Sequence, residues 1–454
     1  MKLLKNFVNG NWVSSLGPLP LRSQLNQASA SAKNAFDLWR QVPVSERVRY
    51  LIKFCQLLNE NRDELASICS QEHGKSKIES QGEIGRGIES VEHALGMPSM
   101  MMGSSLSQVA HGIDSMSIRQ PVGVFAAITP FNFPCMIPLW FLPYAISSGN
   151  TFILKPSEQT PKTAEFIFSL LEKCSLPKGV VNLVHGSKEV VDAILEDENI
   201  VGVSFVGSSK VAKYIYEKGS QYSKRVQALG GAKNFMVVKS DANLELSLKS
   251  LCDSAFGCSG QRCLAGANII AVGSCYEKLR AGLVTMAKSI CCGPVISAAH
   301  KDRVLSYIAQ GIAEGATLLL DGREENDEYE NKSNHIGPTI FDDVLPCMSI
   351  AKEEIFGPVL CLMRAKNLNE AIEMINESPY ANAATLYTSS GKNAALFTQL
   401  AQPSMLGINV GVPAPMAFFP FGGCKNSLFG SLKAGGEDAV RFYTDTKVVT
   451  SRWF

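Results

Sequence analysis

The sequence has 454 residues, with 43 basic and 42 acidic side chains and a formal net charge of +1. This balance argues against a protein that binds nucleic-acid phosphates, because such proteins carry an excess or a strong patch of basic residues. Hydrophobic residues make up 46% of the chain and charged residues 19%, which excludes an intrinsically disordered protein. We therefore expect a soluble globular protein with no nucleic-acid partner.

The first hundred residues read mainly as helices, since apolar residues recur at helical spacing over 30–39 and 46–59. After Pro121 the pattern changes to alternating strands and helices. The predicted strands are 122–128, 151–154, 180–184, 202–206, 235–238 and 268–272, and the predicted helices are 163–174, 189–195, 211–218, 244–256, 276–289 and 301–314. Such alternation is typical of parallel sheets built from β-α-β units, here in two α/β domains.

Two later segments differ from this pattern. The acidic stretch 321–334 is predicted to be a solvated surface loop. The last residues, 440–454, have a β-rich composition and predict a terminal strand that adds to another sheet.

The sequence favours neither a metal site nor a membrane span. None of the 13 cysteines forms a C-x-x-C pair, so we expect no metal, reduced thiols and a cytoplasmic location. The N-terminus lacks the apolar run of a secretory signal. The uncharged stretch 120–154 contains five prolines, which is unfavourable for a helix that crosses a membrane.

Three short segments could carry chemistry on their residue types alone. Gly207-Ser208 joins a predicted strand to a helix, where free amide groups suit a phosphate, although an ordinary β-α turn has the same form. Lys155 and Glu158 follow a strand end and could bind ribose hydroxyls or form a surface ion pair. Cys263 follows Arg262 in a segment flanked by glycines, an electropositive and accessible setting that favours a nucleophilic thiolate, whereas Cys258 in the same loop has no adjacent charge.

Six motifs occur along the chain in a fixed order: P-F-N-F-P at 130–134, K-P-S-E at 155–158, F-V-G-S at 205–208, G-Q-R-C at 260–263, E-E-I-F-G-P at 353–358 and P-F-G-G at 420–423. Together they resemble the aldehyde dehydrogenase superfamily over nearly the whole chain. The resemblance implies an α/β fold with a Rossmann-type NAD-binding domain, an α/β catalytic domain and a small β element for a homodimer or homotetramer. The corresponding ranges are 1–102 with 122–231, then 232–440, then 103–121 with 441–454.

The resemblance also implies roles for individual residues. Cys263 would attack the aldehyde, and the side-chain amide of Asn132 with the backbone N–H of Cys263 would hold the oxyanion. Glu158 would repel a 2′-phosphate, which favours NAD over NADP. The cofactor-binding residues would be Thr129, Phe131, Lys155, Glu158, Gly207, Ser208, Glu354 and Phe356.

One departure from the superfamily pattern indicates a branch. Hydrolytic members carry a glutamate base where this chain has Leu229, which cannot accept a proton. This resembles the CoA-acylating methylmalonate-semialdehyde dehydrogenase branch, in which arginines matching Arg86 and Arg262 hold the substrate carboxylate. The implied reaction converts methylmalonate or malonate semialdehyde to propanoyl-CoA or acetyl-CoA with loss of CO₂, through a Cys263 thioester and with NAD and CoA as co-substrates.

Two alternatives remain open at this stage. One is an ordinary hydrolytic NAD-dependent aldehyde dehydrogenase that releases a free acid. The other is a degenerate, non-catalytic family member, since the chain is shorter than the family pattern near 14–28 and 288–294.

Overall fold

The computed structural model describes residues 4–15, 21–323 and 334–454. The strands are β1 (Lys5–Val8), β2 (Asn11–Ser14), β3 (Ser105–Ala110), β4 (Ile113–Pro121), β5 (Val124–Ile128), β6 (Thr151–Lys155), β7 (Val181–Leu183), β8 (Ile200–Val206), β9 (Arg225–Leu229), β10 (Asn234–Lys239), β11 (Gly266–Val272), β12 (Thr317–Leu320), β13 (Thr339–Asp342), β14 (Val359–Ala365), β15 (Tyr380–Ala381), β16 (Ala383–Tyr387), β17 (Met405–Ile408), β18 (Cys424–Lys425), β19 (Leu428–Phe429) and β20 (Thr444–Arg452).

The helices alternate with these strands over most of the chain. They are α1 (Leu21–Trp39), α2 (Val44–Glu60), α3 (Arg62–His73), α4 (Lys77–Ala94), α5 (Met97–Met100), α6 (Met136–Ser147), α7 (Pro161–Lys173), α8 (Lys188–Glu196), α9 (Ser209–Gln221), α10 (Leu244–Phe256), α11 (Tyr276–Ala287), α12 (Ala298–Ala313), α13 (Ser349–Lys352), α14 (Leu368–Glu377), α15 (Gly391–Leu400) and α16 (Gly436–Tyr443). A short 3₁₀ turn, Gly257–Gly260, follows α10.

The first sheet has eight strands in the order β19-β9-β8-β5-β6-β7-β1-β2. Its five inner strands from β9 to β7 run parallel. Successive side chains of a strand point to opposite faces, so Phe125 of β5 joins one apolar core and Ala126 joins another. Helices α2, α4, α6 and α7 cover the first face, and α1, α8 and α9 cover the second. Burial on both faces explains why these strands are apolar throughout.

The second sheet has seven strands in the order β12-β13-β14-β11-β10-β16-β17. All neighbouring strands are parallel except β12, which is antiparallel to β13 at one edge. Each face again carries its own apolar core. The predicted α/β class with parallel sheets is confirmed.

The third sheet is an antiparallel ribbon in the order β20-β4-β3. Strand β20 pairs with β4 of the same chain over nine residue pairs, from Thr444–Pro121 to Arg452–Ile113. The strands of the three sheets fall largely within the predicted domain ranges, except that β19 joins the first sheet from within 232–440. The domain boundaries and the oligomerisation role of the third sheet stay predictions.

The β-rich interpretation of 440–454 is wrong at its start, because Val440 to Tyr443 end helix α16 and only 444–452 form a strand. Buried aromatic contacts favour the helix here: the rings of Phe442 and Tyr443 pack on Phe125 with centroids 5.5 and 4.8 Å apart. Most of the acidic stretch, 324–333, lies outside the described residues.

No helix among the described residues is long and apolar enough to cross a membrane. The uncharged stretch 120–154 is divided among the end of β4, strand β5, helix α6 and strand β6. In the same parts of the chain, no group of three or more His, Cys, Asp or Glu side chains could hold a metal ion.

Candidate active site

Three predicted cofactor positions meet at one edge of the first sheet. Thr129 follows β5, Lys155 ends β6 and Gly207 follows β8. Strands β8, β5 and β6 are parallel neighbours in that order, so their carboxyl ends lie side by side. In open parallel sheets this is the edge where ligands bind.

The polar groups at this edge fit a nucleotide. Ser208 is the N-cap of the 13-residue helix α9, and its hydroxyl makes no cap hydrogen bond. The first amides of such a helix are donors suited to a phosphate. The buried Thr129 hydroxyl has no hydrogen-bond partner among the described residues.

Lys155 and Glu158 form an ion pair with an Nζ–Oε1 distance of 3.3 Å. The Lys155 side chain is buried, whereas that of Glu158 is 51% exposed. Burial lowers the pKa of Lys155, and the Glu158 carboxylate partly opposes this effect. A buried ammonium group beside an exposed carboxylate offers a donor and an acceptor to ribose hydroxyls, so the ion pair and the ribose-binding interpretation are compatible.

Glu354 and Phe356 contact residues that follow strands β9 and β5 of the first sheet. The Glu354 carboxylate accepts the Ala232 backbone N–H at 2.8 Å, and a Cβ at Gly231 would lie 2.3 Å from its other oxygen. Phe356 has a positive φ of 60°, and its ring meets that of Phe131 edge-on at 6.0 Å. A carboxylate and aromatic rings are groups suited to the nicotinamide ribose and ring that the resemblance implies here, and this role stays a prediction.

Burial raises the pKa of Glu354 from 4.5 to about 7. Between these pH values the folded chain keeps a proton that the unfolded chain releases, so stability should fall as pH rises through this window. The expected loss is about 3 kcal/mol. Glu354→Gln should therefore gain stability relative to wild type between about pH 5 and about pH 8, measured by urea unfolding. Glu353→Gln, at the exposed neighbouring residue, is the control. The prediction would be contradicted if the difference in unfolding free energy between wild type and Glu354→Gln stayed the same across this pH range.

The loop before Cys263 has an unusual backbone. Cys258 and Ser259 have positive φ values of 50° and 55°, and Gly260 follows at 70°. A Cβ at Gly260 would lie 2.2 Å from the Gly357 carbonyl oxygen, so only glycine fits there. Left-handed non-glycine residues cost free energy and cluster at functional sites, which agrees with a loop shaped to present the next few residues.

Two asparagines, missed by the sequence analysis, fix the peptide of Cys263. The Nδ2 atoms of Asn234 and Asn382 each donate to the Cys263 carbonyl oxygen at 2.9 Å. Asn234 begins β10 and Asn382 directly precedes β16, and neither lies in one of the six motifs. Together they orient the cysteine that the resemblance identifies as the nucleophile.

Cys263 is partly exposed as a residue, but its sulfur is buried and the pKa of the thiol is raised. Burial raises its pKa from 9.0 to about 12, and the Glu354 carboxylate adds to this effect. The backbone amides of Cys263 and Leu264 and the charge of Arg262 lower the pKa only in part. The charge of Arg262 acts in the expected direction, but the burial of the sulfur outweighs it.

The Arg262 guanidinium makes its polar contacts with groups other than the adjacent Cys263. The guanidinium lies against the Cys258 thiol and donates from Nη2 to Glu79 Oε1 at 3.1 Å. Cys258, which has no charged neighbour in the sequence, therefore has one in space. Burial opposes ionisation of Glu79, but the Cys258 and Ser76 amides and Arg262 hold its pKa below the usual value, so Glu79 orients the arginine as a carboxylate.

Asn132 lies close in space to the cysteine loop. Its side chain is buried, and Nδ2 donates to the Gln261 carbonyl oxygen at 3.1 Å. An amide NH₂ group has two hydrogens, so a second donor remains for an oxyanion. The structure therefore brings Asn132 and the Cys263 loop together across 129 positions of sequence.

Arg86 and Arg262 line one cavity of about 420 Å³ that also contains Cys263. Arg86 lies on α4 and is not a free surface cation: its Nη1 pairs with Glu89 at 2.6 Å, and its Nη2 donates to the Pro415 carbonyl oxygen. Aromatic and aliphatic side chains supply much of the remaining wall, namely Phe133, Met136, Trp140, Leu264, Phe419 and Phe421. The cavity combines two cations, the thiols of Cys258 and Cys263, the carboxylates of Glu79 and Glu83, and an apolar wall.

Leu229 ends β9 and is 3% exposed. Its side chain joins the first apolar core, which also contains Met136. Its carbonyl accepts the Gly207 N–H at 3.1 Å. The position where the resemblance implies a base in hydrolytic members is therefore a buried apolar position here.

The aldehyde dehydrogenase family model matches residues 18–449. The chain belongs to the aldehyde dehydrogenase family. The predicted family resemblance and the aldehyde dehydrogenase fold are thereby confirmed.

Individual relatives cover the whole chain. A malonate-semialdehyde dehydrogenase of Bacillus cereus (strain G9842) is 47% identical over 482 residues, covering 100% of this chain and 99% of the relative. Malonate-semialdehyde dehydrogenase 1 of Geobacillus kaustophilus (strain HTA426) is 47% identical and covers 99% and 98%.

Among solved structures, a methylmalonate-semialdehyde dehydrogenase from Oceanimonas doudoroffii superposes with a TM-score of 0.98 at 40% identity, covering 100% of this chain and 99% of that one. A Sinorhizobium meliloti 1021 protein, provisionally named as the same enzyme and complexed with NAD, gives 0.97 at 39% identity, covering 100% and 98%.

The shortened segment near 288–294 still supports the cysteine loop of this family member. The Gly293 carbonyl accepts the Ser259 hydroxyl at 2.6 Å, and the Ile296 N–H donates to Gln261 Oε1 at 3.0 Å. The shortened region therefore still makes hydrogen bonds to the cysteine loop. These contacts argue against a degenerate, non-catalytic family member.

Proposed function

We propose that this chain is an NAD-dependent, CoA-acylating dehydrogenase of malonate or methylmalonate semialdehyde. The observation that carries the proposal is the cavity in which Arg86 and Arg262 accompany Cys263. A guanidinium binds a carboxylate with matched geometry and charge, so the cavity suits an aldehyde with a carboxylate at its far end. The names of the Bacillus and Oceanimonas relatives agree with such a substrate.

In the first half-reaction, the Cys263 thiol releases its proton to solvent water, and the sulfur then attacks the aldehyde carbonyl carbon. The carbonyl oxygen gains the negative charge and is held by the Asn132 Nδ2–H and the Cys263 N–H. Bound NAD supplies the hydride acceptor. The product left on the protein is a thioester of Cys263, and Arg86 and Arg262 keep its carboxylate in place.

In the second half-reaction, the thioester waits for a nucleophile. Leu229 is apolar and buried, so it cannot take a proton from water. The CoA thiolate attacks the thioester carbonyl and the Cys263 sulfur leaves. The C–C bond to the β-carboxylate breaks to release CO₂, its electron pair passes into the thioester as an enolate, and protonation gives acetyl- or propanoyl-CoA.

The domains of the chain have separate roles in this activity. The 1–102 and 122–231 ranges bind NAD, 232–440 supplies Cys263, and the β3-β4-β20 sheet joins subunits of a homodimer or homotetramer in the cytoplasm. Exposed apolar side chains on that sheet, such as Met116 and Val448, support the subunit contact.

The experiment that tests the function is NADH formation from malonate semialdehyde with and without CoA. Sustained NADH formation only in the presence of CoA would support the proposal. Equal sustained rates in both conditions would favour a hydrolytic enzyme, and no NADH in either would contradict dehydrogenase activity.

We expect Arg86→Leu and Arg262→Leu to change substrate selectivity. Losing a charge-assisted hydrogen bond costs about 1.5–3 kcal/mol, so kcat/KM for malonate semialdehyde should fall roughly ten- to hundredfold more than for propanal. Arg441→Leu is the matched control, since it removes a helix-surface ion pair, Arg441–Glu437, outside the cavity. Equal losses on both aldehydes would assign the two arginines a merely structural role.

A further inference from the structure

A fully buried ion pair contacts the segment 132–136, which contains Asn132. Lys75 Nζ is 2.5 Å from Glu83 Oε2, and both side chains are 0% exposed. Lys75 Nζ also donates to the Asn132 backbone carbonyl oxygen at 2.7 Å and lies 4.5 Å from the centre of the Phe133 ring. The lysine therefore holds the peptide of the residue whose side chain faces the cysteine loop.

Glu83 holds the other end of the same segment. Its Oε1 accepts the backbone N–H groups of Cys135 at 2.8 Å and Met136 at 3.1 Å. These amides are at the start of α6, where the helix dipole favours a negative charge. Lys75 and Glu83 thus fix residues 132–136 from both ends, and the ion pair joins the two anchors.

A buried ion pair contributes little net stability to a fold. Moving two charges out of water costs several kcal/mol per ion, and an apolar pair of equal volume is often as stable. Burial alone would lower the pKa of Lys75, but Glu83 raises it above the usual value, so the lysine is a cation where it contacts Asn132. The contacts favour a role in geometry over a role in stability.

We propose that Lys75 and Glu83 are positioning residues that set the place of the Asn132 amide relative to the Cys263 sulfur. The inference rests on the oxyanion role of Asn132 in the proposed function. In wild type, one Asn132 hydrogen is fixed by the Gln261 carbonyl, and the anchored backbone directs the other toward the aldehyde oxygen. Without the anchors the segment relaxes and the donor leaves its productive position.

The test is a double-mutant cycle on the NADH burst with propanal, which needs neither CoA nor the arginines. A misplacement of about 1 Å can cost about a hundredfold in rate, and losing one oxyanion donor costs about 10²–10³-fold. Lys75→Met should lower the burst rate about ten- to hundredfold in wild type but less than about threefold in an Asn132→Ala background. The dissociation constant of NAD should stay within about threefold of the wild-type value. Glu83→Gln, which keeps the side-chain shape, should behave in the same way.

Lys224→Met is the matched control. Lys224 is also buried, and its Nζ donates to two backbone carbonyls, those of Asp197 and Ile200, both at 2.6 Å. These carbonyls lie at the start of β8, at the end of the strand away from the ligand edge. Lys224→Met should therefore leave the burst rate unchanged.

The possible outcomes separate this inference from the proposed function. No burst in wild type would overturn the proposed function. The positioning role would be overturned if Lys75→Met and Glu83→Gln left the burst rate unchanged. It would also be overturned if they lowered the burst rate by the same factor in the wild-type and Asn132→Ala backgrounds. Failure of both variants to fold, by circular dichroism, would assign the pair to stability and overturn the positioning role as well.

Discussion

Cys263→Ala should form no NADH from any aldehyde, while NAD still binds. Hydride leaves the substrate carbon only after a nucleophile has added to the carbonyl and placed a negative charge on its oxygen. The cofactor edge at β5, β6 and β8 belongs to the first sheet and does not include Cys263, so binding of NAD should persist. The measurements are NADH absorbance and the dissociation constant of NAD.

Cys258→Ala is the matched control, because this second thiol lines the same cavity. Cys258 contacts Arg262, so the control is best run with propanal, which has no carboxylate to place. The NADH burst should remain. Oxidation by Cys263→Ala at even about a tenth of the wild-type rate would remove Cys263 from the mechanism.

Without CoA, wild type should give a single burst of NADH and then stop. The Cys263 thioester accumulates because Leu229, at the end of β9, offers no base to activate water. Adding CoA should restart steady turnover with the kinetics of a two-stage exchange. The measurements are stopped-flow absorbance of NADH and the intact mass of the acylated protein.

The reverse substitution, Leu229→Glu, tests the same residue. It should speed hydrolysis of the thioester and give some turnover without CoA. A carboxyl group introduced into this apolar core would have a raised pKa, so the gain should be larger at higher pH. Steady hydrolysis by wild type itself would show that Leu229 does not prevent attack by water.

The parallel strands and their helices could be predicted because both sheets are buried on two faces. Strand β5 and helix α10 follow directly from continuous or periodic apolar residues. Strands β1 and β12 were not predicted, since each has only four residues and a weak pattern. Helix α16 was misread at its end because its buried aromatics also suit a strand.

The chemical groups of the candidate site could be found from motifs, but their arrangement could not. The motifs contain Cys263 and Asn132, whereas the groups that hold them come from distant positions such as Lys75 and Asn382. Sequence adjacency also gave the wrong partner for Arg262, which contacts Glu79 across 183 positions. Burial and long-range hydrogen bonds decide these partners, and neither is visible in a local pattern.

The most direct measurement is the product that wild type forms from malonate semialdehyde and NAD under saturating CoA, identified by mass spectrometry. We expect acetyl-CoA and CO₂ in amounts equal to the NADH formed. Free malonate or acetate as the main product, at a rate that CoA does not change, would contradict the acylating reaction and identify a hydrolytic aldehyde dehydrogenase.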